Sequence, residues 1–428
     1  MQMPAHIFAT RDLSCPGAPA WIITMAVAVH LLVSSNLLLA WGIDYASPGG
    51  NPLAKFHPGT YLAGLALLVY CAPAARPARR LRALLRRQPA TGWMLGAFML
   101  CGVYYVLALG PSGLATLVES YVAAGMLALL AAQLTPLQAR RLGWVMLACL
   151  TIAAPLAIAE TLLQWHLVPV YLGSERFVES PQDWRAAALY DHPLTGAMMM
   201  EIAILLLLAA RVPSWIKAAG IALFLTAQVA FGGRTALLVT LLVLAGLGAA
   251  AVLRGLLTRR LQAGMAASVL AGAVVLPVAL SVLVTQTSIG SRIAQHAYAD
   301  ESADERLLVW TIPAMMSPRQ VLFGTSAPQQ TELMQRLGFG SPYNDIENFW
   351  LLSFINLGLF GFVIYLAGLL PFLAGLWRQA NVMGRLALVS TMTIATTSNS
   401  LARKSDILFT LVAAIFAMRG FAEPEMAA

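Results

Sequence analysis

Phe231-Gly232-Gly233-Arg234-Thr235-Ala236-Leu237-Leu238 sets a guanidinium directly after two glycines, at the junction of two apolar runs. Glycines let a backbone turn tightly and come close to a ligand. A planar guanidinium grips a phosphate through paired N–H donors. The alternative for Arg234 is snorkelling to lipid headgroups. A second stretch, Trp184 to Gly196, offers the cation Arg185, then the carboxylate of Asp191 and the imidazole of His192. Pro193 follows, in a position that suits the first turn of a helix. A third stretch, Pro342-Tyr343-Asn344-Asp345-Ile346-Glu347-Asn348-Phe349, puts two carboxylates and an amide at the head of another apolar run. Asp345, Glu347 and Asn348 either cap that helix, whose N-terminus favours anions, or supply a general base. Glu119, Glu160 and Glu201 lie just inside apolar runs. An ionisable residue within a membrane span is a functional hypothesis, with an internal hydrogen bond as the alternative. Arg292, Arg306, Arg403 and Lys404 are further cations for headgroups or for phosphate. The phosphate loop, the dinucleotide fingerprint, GxSxG and HExxH are absent. No Cys/His cluster exists, so no metal site and no cofactor are expected.

The elements that must position these residues are membrane helices. Of 428 residues, 59% are hydrophobic and 11% charged, against about 45–50% and about 25% in soluble domains. A spanning helix needs ~20 mainly apolar residues. Candidates fall at 21–42, 58–75, 90–109, 114–133, 142–163, 195–210, 214–231, 235–253, 264–285, 348–371, 384–399 and 406–419. The chain thus reads as a single integral membrane domain, 1–428, all-α and polytopic, with about twelve transmembrane helices. Arg76, Arg79, Arg80, Arg82, Arg86 and Arg87 crowd the connection between the second and third spans. Basic residues favour the cytoplasmic side, so that connection and both termini are expected there. The net charge of +8 is then a topology signal, and no nucleic-acid partner is expected. Two segments on the opposite side are long, 164–194 and 286–347. Loops beyond ~12–15 residues are usually functional or disordered. The larger one carries an amphipathic pattern over Glu301–Met316 and a short helical pattern over Gln329–Leu337. It is either a solvated cap or a lid over a site.

Three blocks resemble the O-antigen ligase and polymerase superfamily of bacterial envelope polysaccharide synthesis. Gly233-Arg234-Thr235-Ala236-Leu237-Leu238 is similar to its small-residue–Arg–small–Ala–Leu–Leu block. Glu305-Arg306-Leu307-Leu308-Val309-Trp310 with Arg319-Gln320-Val321-Leu322-Phe323-Gly324 is similar to its R-x-x-x-W … P-x-x-G block, the proline being displaced to Pro318. Asn348-Phe349-Trp350-Leu351 with Leu357-Gly358-Leu359-Phe360-Gly361 is similar to its N-x-x-L … L-G-x-x-G block. Tyr190-Asp191-His192-Pro193-Leu194-Thr195-Gly196 looks most like exopolysaccharide polymerase members.

The resemblance implies a GT-C-like membrane glycosyltransferase with a large helical periplasmic loop between helices 9 and 10. It also implies a donor glycan on undecaprenyl diphosphate, gripped by arginines that correspond to Arg185, Arg234 and Arg306. Ligases of this family carry a His where this chain has Glu347. A polymerase is therefore expected, acting at the periplasmic face of the bacterial inner membrane without a metal. Glu347 is the first candidate for activating the acceptor hydroxyl, and His192 and Asp191 come second. Asp345, Asn348, Arg292, Arg403, Lys404, Glu160 and Glu201 are accessory candidates. The partners implied are the lipid-linked donor, a glycan acceptor, the bilayer and other polysaccharide assembly and export proteins. The rival readings are a ligase acting on lipid A-core or protein, and a transporter of lipid-linked glycan.

Overall fold

A computed structural model describes residues 15, 17–45, 50–73, 77–110, 113–172, 175–176, 184–258, 308–338 and 346–422. The expected ninth span, 264–285, lies outside them. The described residues are helical almost throughout. In chain order the helices are α1 (Gly17–Leu32), α2 (Ser35–Ala40), α3 (Pro58–Cys71), α4 (Pro77–Arg87), α5 (Pro89–Leu109), α6 (Leu114–Ala131), α7 (Pro136–Leu163) and α8 (Pro193–Ala209). They continue as α9 (Ser214–Ala230), α10 (Arg234–Leu257), α11 (Ile312–Met315), α12 (Pro318–Phe323), α13 (Ala327–Arg336), α14 (Phe349–Gln379), α15 (Val382–Thr396) and α16 (Ile407–Ala422). The one departure from all-α among the described residues is a two-residue antiparallel pair, Tyr171–Leu172 with Glu175–Arg176.

Among the described residues five helices, α5, α6, α7, α10 and α14, are long and apolar enough to cross a membrane. Six shorter apolar helices stand among them: α1, α3, α8, α9, α15 and α16. A helix that is apolar all round belongs in the interior of a bundle, and α16 is such a helix. It is buried along nearly its whole length and packs against α6, α7, α8 and α15. By contrast only 11% of the most apolar window of α10 is buried, so α10 turns its leucines outward, as a lipid-facing helix does.

The structure divides some expected elements differently. The first expected span, 21–42, is broken at Val33 and Ser34, where the Ser34 hydroxyl caps α2 by accepting from Leu37 N. The basic connection between the second and third spans is itself helix α4, with Leu84 buried beneath its arginines. Arg80 stands 4.3 Å over the Tyr70 ring. The described end of the expected 301–316 helix is a 3-10 turn, Val309–Thr311, followed by the four-residue α11. The helix expected at 329–337 is α13. Helix α14 bends at Gly358, whose φ is +63°. Val118–Val122 of α6 is a π turn, a distortion often found at functional sites.

Candidate functional site

Buried polar bonds tie together the loops that carry several of the candidate ionisable residues. Glu160, in the last turn of α7, is buried. Its Oε1 accepts from Leu167 N at 2.8 Å. Its Oε2 accepts from Ala187 N at 3.0 Å and Ala188 N at 2.8 Å, and His166 Nδ1 lies 3.2 Å away. His166 stacks on Trp184 with ring centroids 4.1 Å apart. Ala186 N donates to Ala230 O at 3.2 Å. Ala188 is held at φ +49°, a left-handed conformation costly for a residue with a Cβ. The Glu160 carboxylate, which receives its amide, offsets that cost. The segment around Arg185 is thereby fixed to the ends of α7 and α9.

The result is a meeting of two arginine-bearing segments. Gly232, at φ +69°, lies against the Arg185 stem, with Cγ and Cδ 3.7 Å from where a Cβ would stand. Gly233 packs on Ala197 of α8, and α10 begins at Arg234. Arg234 is exposed and Arg185 half-buried. Two guanidinium-bearing residues therefore flank one glycine turn, at a helix N-terminus whose amides favour an anion.

Beside them, Asn36 Nδ2 donates to Asp191 O at 3.1 Å, and Asn36 Oδ1 accepts from Tyr171 N at 3.2 Å. His192 caps α8 through Nδ1, which accepts from Leu194 N at 3.1 Å. Asp191 is pushed up by burial. Asp406, just before α16, is pushed up to about 8, first by burial and then by the negative charge of Asp191. These two carboxylates compete for one environment, and Asp406 is a residue that the sequence reading passed over.

A third group centres on Lys404 and Glu119. Lys404 Nζ donates to Tyr45 O at 3.0 Å and lies 3.3 Å from the centroid of the Tyr45 ring. Burial lowers its ammonium to about 8, while Glu119 opposes the shift. Glu119, in the π turn of α6, accepts from His57 N at 2.7 Å and from Thr60 Oγ1 at 2.9 Å. His57 Nδ1 accepts from Gly59 N at 3.1 Å, so Nε2 carries the proton donated to Val33 O at 2.6 Å. Burial lowers His57 to about 4 and keeps that ring neutral. Arg403 O accepts from Ser120 Oγ at 2.9 Å. Glu119 thus fastens α3 to α6.

Asn348 caps α14, its side chain accepting from Leu351 N at 3.0 Å. Glu347 stands half-buried one residue earlier, next to fully buried Ile346. Glu201, within α8, is buried with neither carboxyl oxygen hydrogen-bonded. Arg292, Arg306 and Asp345 lie outside the described residues. Among the described residues, no three His, Cys, Asp or Glu gather as a metal site requires.

Residues 219–366 match the family model described as O-antigen ligase, Wzy_C. That match contains Arg234, Glu347 and all three sequence blocks, and it supports the O-antigen ligase and polymerase superfamily. Members of that family are glycosyltransferase-like enzymes. No curated protein matches the chain.

Proposed function

We propose that this chain is a polysaccharide polymerase of the bacterial inner membrane. It would have about twelve spans in a GT-C-like arrangement, with both termini cytoplasmic and the Arg185–Arg234 end facing the periplasm. Its donor is a glycan on undecaprenyl diphosphate, and its acceptor is a hydroxyl of a second glycan. The observation that carries this reading is the packing of the Arg185 stem on Gly232, two residues before Arg234.

In the transfer step the acceptor oxygen attacks the anomeric carbon, and the bond from that carbon to the diphosphate oxygen breaks. The acceptor proton passes to a carboxylate, Glu347 in the first instance, and the diphosphate departs with the bonding electrons. Charge grows on the leaving oxygens. Fixed donors aimed at developing charge are among the strongest catalytic devices, and Arg185 and Arg234 fill that role. Neither Glu160 nor Glu119 suits the base, because each already accepts hydrogen bonds that hold the fold together.

The ligase reading is favoured by the description of the matching family. Glu347, in the place of the ligase His, favours the polymerase. Glycan analysis of a deletion strain separates the two. Single repeat units left on lipid identify a polymerase, and intact polymer lacking its final acceptor identifies a ligase. Purified protein given lipid-linked repeat units tests transfer directly, and translocation without glycosidic bond formation would overturn both readings.

A further inference from the structure

A cavity of about 70 Å³, open at its mouth, lies between α5, α6, α14 and the loop before α16. That is well below the roughly 300–1,000 Å³ of sites that enclose a drug-sized ligand, so through its open mouth the cavity admits a single group of a larger ligand. Its floor is a pair of buried tyrosines. The hydroxyls of Tyr121 and Tyr365 are 2.8 Å apart, and the Tyr121 hydroxyl donates to the carbonyl of Leu401. The proton shared by the pair must then come from Tyr365, which leaves acceptor capacity on its oxygen. The walls carry Tyr105, Thr116, Ser353 and Asn356. Among the described residues that line it, none is Lys, Arg, His, Asp or Glu.

This composition selects a ligand class. A diphosphate needs cations, which this lining does not offer. A polyprenyl tail gains nothing from hydroxyl and amide groups, and would leave them unpaired. A neutral sugar suits both halves of the lining: its hydroxyls pair with the amide and hydroxyls, and its C–H faces lie on the aromatic rings. The cavity also has a fixed relation to the ionisable groups. Leu401 and Ala402 border it. The same loop continues through Lys404 to Asp406, whose carboxyl senses the charge of Asp191. Gly358, where α14 bends, follows directly on the lining residues Asn356 and Leu357.

We propose that this cavity binds a neutral sugar residue of the acceptor glycan, with Asn356 and Thr116 pairing its hydroxyls above the Tyr121–Tyr365 floor. The word acceptor rests on the polymerase reading, whereas the sugar site rests on the lining alone.

The test uses the full-length protein in a detergent without a sugar headgroup. The probe is a repeat-unit oligosaccharide released from the producing strain's own polysaccharide, free of diphosphate. Binding is read by saturation-transfer NMR. The near-isosteric variants Asn356→Leu and Thr116→Val are each expected to weaken it roughly two- to tenfold, the value of a neutral hydrogen bond. Inorganic pyrophosphate is expected not to displace the sugar. Three results would overturn the site: no binding to folded wild-type protein, equal binding by both variants, or displacement by pyrophosphate. A transfer assay on the same preparations separates the two proposals. Sugar bound at Asn356 without transfer keeps the site and sinks the polymerase. Transfer with an unchanged acceptor KM in both variants keeps the polymerase and sinks the site.

Discussion

Gly324 and Gly358 abut backbone to backbone. A Cβ on Gly358 would collide with the amide of Gly324 and stand 2.6 Å from the carbonyl oxygen of Leu322. A Cβ on Gly324 would stand 2.8 Å from the carbonyl carbon of Leu357. Both glycines have positive φ, +88° and +63°. Thr325 N and Oγ1 both donate to Ile355 O, at 2.9 and 3.0 Å. Tyr104 bridges the joint, its hydroxyl lying 3.0 Å from Phe323 O and 2.8 Å from Leu357 O. The two sequence blocks that carry these glycines thus form one joint, which seats α12 on α14.

Gly324→Ala and Gly358→Ala are therefore each expected to destabilise the protein by more than ~1 kcal/mol, since alanine is strained at positive φ even without the collision. The thermal unfolding midpoint in detergent would fall in both. Combining them is expected to cost less than the sum, because residues in contact do not act independently. Unchanged midpoints would show that the joint gives way easily.

The blocks and most of the helices were legible in the sequence because they depend on local order: runs of apolar residues, prolines at helix starts, glycines before Arg234. What the sequence hid was long-range pairing. Arg185 and Arg234 could each be proposed as phosphate ligands, but their meeting depends on Glu160, which lies 28 residues before Ala188 and could not be distinguished from a catalytic carboxylate. Asp406 gave no signal, since its interest comes from Asp191, a neighbour in space only. Tyr121 and Tyr365, 244 residues apart, read as ordinary aromatic residues of two spans.

Glu160→Gln tests the positioning role. The amide keeps the shape but has one oxygen for two accepting positions, so its NH2 must face either Leu167 N or Ala187 N and Ala188 N and leave buried donors unpaired. A cost of about 3 kcal/mol is expected, together with a raised KM for the lipid-linked donor. A kcat loss at unchanged KM and unchanged stability would instead make Glu160 a catalytic group.

Arg185→Lys and Arg234→Lys keep the charge and lose the planar fork. Removal of one fixed donor at a developing charge costs about 10²–10³-fold in kcat, and each substitution is expected to fall at or just below that range. The double variant should lose less than the product of the two, as both cations act on one diphosphate. Polymer length on gels and donor turnover in vitro provide the check. Wild-type turnover in either variant would remove that arginine from the site.

Asp406 and Lys404 give the pH dependence of stability opposite signs on the two sides of about pH 8. In the unfolded chain Asp406 ionises near 3.8, but in the fold it holds its proton to about 8. The folded state binds the extra proton in between, so stability falls as pH rises through that window. Lys404 has the opposite sign: it loses its proton at about 8 in the fold and at 10.5 when unfolded, so stability rises with pH above 8. His57, at about 4 in the fold against 6.5 unfolded, adds a rising limb below 6.5. Thermal midpoints between pH 6.5 and 8 are therefore expected to fall, and the difference between wild type and Asp406→Asn gives the share that Asp406 contributes. Asp406→Asn is expected to flatten that limb, and Lys404→Met the one above pH 8. A wild-type profile that is already flat from 6.5 to 8 would contradict the assignment.

The base can be assigned by comparing three carboxyl and imidazole variants. Glu347 precedes the Asn348 cap of α14, and Ile346 beside it is anchored in the apolar cluster with Val309, Ile312 and Leu351. Its backbone is thus held by packing while its side chain stays half-exposed, the arrangement a proton acceptor needs. A general base contributes typically ~10²–10⁴-fold. Glu347→Gln is expected to lose that factor in transfer rate, with normal protein levels and donor KM. Asp191→Asn is expected to act more mildly, because burial already disfavours the charged carboxylate that a base requires. His192→Asn is also expected to act mildly, since asparagine keeps the α8 cap. Near-normal polymer from Glu347→Gln together with a hundredfold loss in Asp191→Asn would move the base to the Asp191–Asp406 pair.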